Sequence, residues 1–308
     1  MSYEEKKSRG LIHKLSGMPL MGYDHHLYPF ESKWMEIEDQ HIHFIDEGSG
    51  DVLLFCHPPV SSSFMYRNMI PVLSRQFRCI APDFPGFGLS VASKGYTPSI
   101  MREAAIIEKL LIKLEVTSVF LIMQEVGGHA GITVFIKHPG WLRGIILTDT
   151  IIFPVSQYPK IKTMLKLVNS KVFNFFNSNF NLIIRIVTSS GVKKRKMTKE
   201  EKDTYKAMFS SGIIRRISTS MLYQLVKQEI LLEQIQRTFE TRFNSLPVLL
   251  IYGELDPLTK LGIPQRILSM MKNAELHFIS GEKHFPHEGA PEEMSQQIIS
   301  WLNKIRKG

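Results

Sequence analysis

The sequence has 308 residues, 44% hydrophobic and 22% charged, which is enough for a large core in one domain and excludes a disordered chain. Its net charge of +9 favours anionic partners or a membrane surface. The lysines are spread along the chain, however. Their one dense run, residues 193–196, is expected to be a solvated turn before a helix rather than a nuclear localisation patch.

The first half of the sequence alternates strand and helix patterns. Residues 34–46 alternate polar and apolar side chains on both sides of Glu38, which is typical of an antiparallel hairpin at a sheet edge. Continuous apolar runs predict strands that are buried on both faces at residues 51–56, 77–81, 119–123 and 142–148. Helical spacing follows at residues 63–73, 97–114 and 128–137, with Thr97 or Ser99 as the cap of the second helix.

The character of the sequence changes between residues 153 and 243, where strand patterns disappear and helical spacing continues. A capping box at residues 198–201 opens one of these helices. Strands are predicted again at 248–252 and 274–279, and a last helix at 291–305. We therefore predict an α/β fold with a mostly parallel central sheet, flanked by helices. A core domain would comprise residues 1–153 and 241–308, and an inserted helical cap residues 154–240.

One stretch combines a strand end, a short polar segment and two glycines. The apolar run at 119–123 is followed by Gln124, Glu125, Val126, Gly127 and Gly128, and helical spacing then resumes. This is the layout of a nucleophile elbow, in which a reactive side chain stands on a strained turn between strand and helix. The glycines let the helix start close to the strand. By spacing, Glu125 is the side chain at the tip, although a carboxylate there could also simply cap the helix.

Four further polar residues follow the ends of predicted strands, namely His57, Asp149, Asp256 and His284. In open α/β sheets, functional residues lie on the loops beyond the carboxyl ends of the strands. We therefore expect these four side chains to gather at one edge of the sheet with Glu125.

These stretches, in this order, resemble the α/β-hydrolase superfamily, and within it the haloalkane dehalogenase and epoxide hydrolase branch. The resemblance extends from about residue 34 to the end of the chain. It is carried by His57 after a buried strand, the loop DFPGFGLS at 83–90, the elbow QEVGG at 124–128, the turn GELDP at 253–257 and the segment HFPHE at 284–288.

The resemblance implies a catalytic triad in the chain order nucleophile, acid, histidine. Glu125 takes the nucleophile position, Asp256 the acid position and His284 the base position. Asp149 is an alternative acid, because some relatives place the acid one strand earlier. His287 is a second candidate for the base.

Three features depart from this branch at the chemistry itself. The branch normally uses Asp where this chain has Glu125, and a misplacement of about 1 Å can cost on the order of a hundredfold in rate. The dehalogenases bind halide through a Trp and an Asn that correspond here to Val126 and Pro59, which have no side-chain N–H, so dehalogenation is disfavoured. The oxyanion turn between His57 and Pro59 would lose one backbone N–H at the proline unless Val60 supplies it, and such a loss typically costs about 10²–10³ in rate.

Two functions therefore remain open. In the first, the chain is a hydrolase of a small apolar electrophile (an epoxide, a lactone or ester, or a haloalkane-like molecule), and Glu125 acts as nucleophile or as acid/base partner of His284. In the second, it is a catalytically impaired relative that binds an apolar ligand under the cap. Tyr158, Tyr205 and Tyr223 are candidate donors to an epoxide oxygen. The aromatic and methionine side chains of the cap are expected to be mostly core: Phe173, Phe175, Phe176, Phe180, Met208 and Phe209.

The remaining signals indicate no cofactor, metal site or nucleic-acid motif. Cys56 and Cys79 lie in apolar runs and are expected to be buried free thiols. Residues 1–14 are charged and lack the apolar region of a signal peptide, and the longest apolar stretch, residues 172–187, is too polar to span a bilayer. We expect a cytoplasmic monomer or homodimer whose partner is a small apolar substrate or ligand.

Overall fold

The computed structural model describes residues 26–307, so the expectation about a signal peptide at residues 1–14 lies outside the described residues. Eight strands form one sheet: β1 Lys33–Ile37, β2 Gln40–Glu47, β3 Val52–Cys56, β4 Arg78–Pro82, β5 Val119–Gln124, β6 Leu142–Thr148, β7 Val248–Gly253 and β8 Ala274–Ile279. Their order is β1-β2-β4-β3-β5-β6-β7-β8. β2 runs antiparallel to β1 and β4, whereas all other neighbours are parallel. The predicted mostly parallel sheet with an edge hairpin is confirmed.

The continuous apolar runs of the central strands are explained by their burial on both faces. Every residue of β3, β5 and β7 is buried, because helices cover the sheet and leave no face for polar side chains. In-register pairs such as Leu54 with Leu121 align the strand ends at one edge. Cys56 and Cys79 are buried free thiols, as expected.

Thirteen α-helices are described: α1 Ile70–Leu73, α2 Ile100–Lys113, α3 Glu125–Lys137, α4 Pro159–Val168, α5 Lys171–Phe180, α6 Leu182–Ser190, α7 Lys199–Met208, α8 Gly212–Lys227, α9 Glu229–Glu240, α10 Pro257–Lys260, α11 Ile263–Met270, α12 Pro286–Gly289 and α13 Pro291–Lys307. Ser99, not Thr97, caps α2 by accepting the N–H of Arg102. The capping box of Thr198 and Glu201 opens α7, as predicted. The helix expected at 63–73 is instead a 3₁₀ turn, Ser63–Tyr66, followed by α1.

Helices α4 to α9 lie between β6 and β7, and we call residues 159–240 the helical insertion. The boundaries of a cap subdomain at residues 154 and 240 stay a prediction. Within residues 26–307, no helix is long and apolar enough to cross a membrane.

The expectation that the aromatic residues of the insertion are core is wrong for three of them. Phe209 and Met208 are buried and Phe173 is partly buried, but Phe175, Phe176 and Phe180 are exposed. The reason lies in α5, which turns asparagine side chains toward its neighbour α8 instead.

The start of α3 lies unusually close to the turn after β3. The helix begins at Glu125 itself, three residues earlier than the sequence pattern indicated. A Cβ atom on Gly127 would lie 1.9 Å from the carbonyl oxygen of His57, and one on Gly128 would lie 2.1 Å from Cγ of Met123. The first contact is with backbone, which cannot rotate away, so only glycine fits at residue 127.

We predict that Gly127→Ala lowers the free energy of unfolding by about 1–3 kcal/mol, because the helix must shift away from the His57 carbonyl. Urea unfolding monitored by circular dichroism measures the change. Gly140→Ala is the matched control, since a Cβ atom there would meet nothing within 4 Å. Equal stability of the two variants would contradict the close approach.

Candidate active site

Glu125 stands at the tip of a strained turn. Its φ angle is +43°, in the left-handed region that a residue with a Cβ atom rarely adopts. Such a conformation costs on the order of 1–3 kcal/mol and persists only where the surrounding structure enforces it. Here β5 ends at Gln124 and α3 begins at once, so the turn has no spare residue. The sequence prediction that Glu125 occupies the tip agrees with this geometry.

Glu125, His284 and Asp256 form a continuous chain of hydrogen bonds. Nε2 of His284 lies 2.5 Å from Oε1 of Glu125, and its Nδ1 lies 2.6 Å from Oδ2 of Asp256. Asp256 also caps α10 by accepting the N–H of Leu258 at 2.6 Å. The Asp256 carboxylate is fully buried, whereas 16% of the Glu125 side chain and 25% of the His284 side chain are exposed. The Glu125 and His284 end of this hydrogen-bond chain is therefore the more exposed end.

The charges in this chain stabilise one another. Burial alone would lower the pKa of His284, but the charge of Asp256 and the hydrogen bonds to both carboxylates hold it well above its ordinary value. Burial alone would raise the pKa of Asp256, but His284 lowers it to about 2. The two neighbouring carboxyl groups therefore favour the imidazolium form of His284.

Asp149, the alternative acid, has a different environment. Its φ angle is +39°, and its Oδ1 accepts the N–H of Gly253 at 3.1 Å. Burial and the neighbouring Asp256 carboxylate raise its pKa well above the ordinary range, which favours its neutral form. Single ligand atoms of Asp149, Asp256 and His284 converge within 4.8 Å of one another, which is metal-like spacing. Of the two aspartates, Asp256 is the one whose carboxylate contacts the imidazole directly.

The turn after β3 packs beside the elbow. Ser61 donates its N–H to the carbonyl of Pro58 at 3.1 Å, which places Pro59 at the second position of a β-turn, where proline is favoured. His57 Nδ1 contacts the Pro58 carbonyl at 2.9 Å, and its Nε2 accepts the N–H of Phe84 at 3.0 Å. Burial lowers the pKa of His57, which is consistent with this neutral tautomer. His57 is thus a buried brace for the turn.

One oxygen of the tip carboxylate has no protein partner. Oε2 of Glu125 is buried and accepts no hydrogen bond from residues 26–307. Pro59 has no N–H to offer it. The backbone N–H of Val126, the residue after the tip, belongs to the start of α3.

A buried ionic network joins the core to the helical insertion, and sequence reasoning missed it. Arg67 donates to both oxygens of Glu288 at 2.5 and 2.9 Å and to Glu201 at 2.6 Å. Arg195 donates to Glu201 at 2.9 Å and to Glu288 at 3.2 Å. Tyr205 completes the network with a 2.7 Å bond to Glu288. Glu288 follows His284 by four residues, so the network holds the segment that carries the imidazole.

The other candidates for the site have different surroundings. His287 is fully buried beside the rings of Tyr66 and Phe285, and neither of its ring nitrogens has a hydrogen-bond partner within residues 26–307. The hydroxyl of Tyr205 is bound to Glu288, and that of Tyr158 accepts a bond from Arg266 at 2.9 Å. His284 is thus the histidine that contacts Glu125.

The family model described as alpha/beta hydrolase fold matches residues 51–291. Haloalkane dehalogenase 2 of Mycobacterium tuberculosis is 28% identical over 285 residues, which cover 90% of this chain and 96% of that protein. The cis-3-alkyl-4-alkyloxetan-2-one decarboxylase of Shewanella oneidensis is 26% identical over 298 residues, 90% of each chain. The crystal structure of haloalkane dehalogenase DbeA from Bradyrhizobium elkani USDA94 superimposes with a TM-score of 0.78 at 19% identity, over 89% of this chain and 98% of that one.

We predict that His287 makes the fold sensitive to mild acid. Burial, His284 and Arg67 lower its pKa to about 3, whereas an unfolded histidine titrates near 6.5. Below pH 6.5 the unfolded state binds a proton that folded His287 does not, so stability falls by about 1.4 kcal/mol per pH unit for this one group.

In His287→Phe, the slope of unfolding free energy between pH 6.5 and 4.5 should decrease by about one proton equivalent. Urea titrations at five pH values measure it. His41→Gln, on the surface, is the control and should keep the wild-type slope. An unchanged slope in His287→Phe would show that the buried imidazole is charged.

Proposed function

Because the chain belongs to the α/β-hydrolase fold family, near its haloalkane dehalogenase branch, we propose that this hydrolase acts on a small apolar electrophile through a Glu125–His284–Asp256 triad. Glu125 is the nucleophile, His284 the base and Asp256 the residue that orients and charges the imidazole. The observation that carries the proposal is the unbroken 2.5 and 2.6 Å hydrogen-bond chain ending on a side chain held at positive φ.

In the first step, an oxygen of the Glu125 carboxylate attacks an sp³ carbon of the substrate. A new C–O bond forms the Glu125 ester, the bond from that carbon to the leaving atom breaks, and its electron pair departs with that atom. Esterification removes the negative charge of Glu125, one of the two carboxylates that hold the pKa of His284 high. The imidazolium can then release its proton.

In the second step, neutral His284 takes a proton from water, and the resulting hydroxide attacks the ester carbonyl carbon of Glu125. The Glu125 carboxylate is regenerated, and the product leaves as an alcohol. Asp256 stabilises the imidazolium that forms. Val126 N–H is positioned by sequence to bind the developing oxyanion, whereas Pro59 contributes none.

Among the candidate substrates, a strained lactone fits the site best. A departing halide would find no side-chain N–H at Val126 or Pro59, and the oxygen of an opened epoxide would have to take a proton, for which His284 is the nearby donor. The hydroxyl of Tyr205 already donates to Glu288, whereas that of Tyr158 accepts a bond from Arg266. Opening a lactone at its alkyl carbon releases a carboxylate, which needs neither a halide-binding N–H nor a proton. The Shewanella oneidensis relative is named for an oxetan-2-one, which is such a lactone.

A second candidate function is binding of an apolar ligand without turnover. It is favoured by the missing N–H at Pro59 and by Oε2 of Glu125, which has no partner within residues 26–307. A Glu125–His284 ion pair would then be structural. The two functions differ in whether a covalent ester ever forms.

We predict that His284→Gln traps the ester on Glu125, because the first step needs no base while the second does. Intact-mass spectrometry after incubation with β-lactones should show an adduct equal to the whole substrate mass, since ring opening expels no atom. Peptide mapping should place it on Glu125. A chloroalkane adduct would instead lack the halogen.

Glu125→Gln in the same His284→Gln background is the control and should remain unmodified. Glu125→Asp should test whether the extra methylene of the native side chain matters for rate. Saturable lactone binding without any adduct, in every variant, would favour the ligand-binding function.

We also predict that Pro59→Ala accelerates ester hydrolysis by about ten- to a hundredfold, because it restores a backbone N–H beside the tip. Single-turnover kinetics of the loss of the Glu125 adduct measure this step. Pro58→Ala is the matched control, one residue away in the same turn. An unchanged rate in Pro59→Ala would mean that another donor, such as Val60 N–H, already serves the oxyanion.

A further inference from the structure

Helix α5 has an inverted amphipathic pattern. Its buried face is polar: Asn177 is 1% exposed and donates to the Arg215 carbonyl at 3.3 Å, and Asn174 accepts from Thr219 at 2.6 Å. Its solvent face carries Val172, Phe175, Phe176 and Phe180, which are 70%, 64%, 46% and 55% exposed. A helix of a globular protein normally buries such a stripe, so this face is available to a partner.

The exposed rings form one contiguous cluster, which we call the α5 aromatic cluster (Phe175, Phe176 and Phe180). The Phe175 and Phe176 rings pack edge to face at 5.4 Å, and Phe176 and Phe180 stack at 6.3 Å. Val172, Phe176 and Phe180 are spaced four residues apart and therefore lie on one ridge of the helix.

A cationic cavity adjoins this cluster. It measures about 410 Å³ and is lined by Asn179, Phe180, Asn181, Arg185, Lys206, Ala207, Ser210 and Arg215. Three of these residues are cations, of which Lys206 is paired with Asp203 and Arg215 donates to three backbone carbonyls. Arg185 uses only Nε, which donates to the Phe180 carbonyl at 2.9 Å, so its two terminal nitrogens point to no protein acceptor within residues 26–307.

The surrounding sequence has the same sign of charge. The fifty residues from 150 to 199 contain ten lysines and arginines and no Asp or Glu. Within the described part of the chain, Lys160, Lys162, Lys166 and Lys171 form no ion pair, and all four lie on α4 or at the start of α5. Unpaired cations beside exposed aromatic rings are the composition of helices that bind in the plane of an anionic bilayer.

We propose that α5 docks on an anionic phospholipid surface, with the α5 aromatic cluster at the boundary between headgroups and acyl chains and a lipid phosphate in the cavity at Arg185. The lysines of α4 and Lys171 are attracted to the negatively charged surface of the bilayer. A second copy of the chain is a poorer occupant, because its identical face would bring the same cations together without a carboxylate. The inference does not depend on the chemistry at Glu125.

Flotation with vesicles tests this docking. At low salt, wild type should float with phosphatidylcholine vesicles containing phosphatidylglycerol, not with pure phosphatidylcholine, and raised salt should release it. Replacing all three rings of the cluster with Ser should weaken the partition about a hundredfold. Arg185→Gln should weaken it about fivefold and reduce its salt dependence.

Ile230→Ser is the matched control, because Ile230 is 82% exposed on α9, outside the cluster, and should leave vesicle binding unchanged. Unaltered melting temperatures would exclude unfolding as the cause of any loss. Three results would overturn the proposal: no vesicle binding by wild type, saturable binding of inorganic phosphate without vesicle binding, or a dimer in sedimentation that the triple Ser variant abolishes.

Discussion

The geometry of the carboxyl edge of the sheet depends on the contact between the start of α3 and the turn after β3. Gly127 lies so close to the His57 carbonyl that no Cβ atom fits, and His57 is itself held between the Pro58 carbonyl and the Phe84 N–H. With both partners fixed, the single residue between β5 and the body of the helix must adopt positive φ. The strain at Glu125 is thus sustained by packing on either side of it.

The same edge concentrates three carboxyl groups and one imidazole, and the protons are distributed so that little charge is unopposed. Burial and Asp256 favour the neutral form of Asp149, whereas His284 lowers the pKa of Asp256, and the bonds to Asp256 and Glu125 raise the pKa of His284. An imidazolium cannot act as a base, so the resting site is poised for attack by the carboxylate and not for activation of water. Asp256 contributes most to the raised pKa of His284, and esterification of Glu125 would remove the remaining contribution. Loss of the imidazolium proton is therefore favoured after the first proposed step.

Those parts of the fold and of the candidate site that depend on local sequence patterns could be predicted. Strands buried on both faces have continuous apolar runs, and the elbow has its glycines beside the tip, so β5, α3 and Glu125 followed from the sequence. The pairing of His284 with Asp256 required the resemblance, because 28 residues separate them. The end of a predicted strand favoured His284 over His287, which lies three residues further along the chain. Arg67 and Glu288 lie 221 residues apart, and no pattern in either segment indicates the bond between them.

The prediction that the three exposed phenylalanines of α5 are core residues was wrong for a different reason. Hydrophobic residues at helical spacing predict a buried stripe. The prediction fails where a helix packs against its neighbour through hydrogen-bonded polar side chains. Asn174 and Asn177 fill that role through Thr219 and the Arg215 carbonyl. Composition therefore indicated the helix correctly, but only the tertiary contacts show which face is inside.

The helical insertion is anchored at the segment that carries His284. Glu282 accepts the backbone N–H groups of Lys193 and Lys194, and Arg195, from the basic run expected to be a solvated turn, reaches inward to Glu288. Lifting the insertion would separate Arg67 from Glu201 and Arg195 from Glu288. Arg67 would keep its bonds to Glu288, and Arg195 its bond to Glu201, so each charge would lose one of its partners but not all of them. The ionic network thus acts as a positional clamp on the imidazole and need not add to the net stability of the fold.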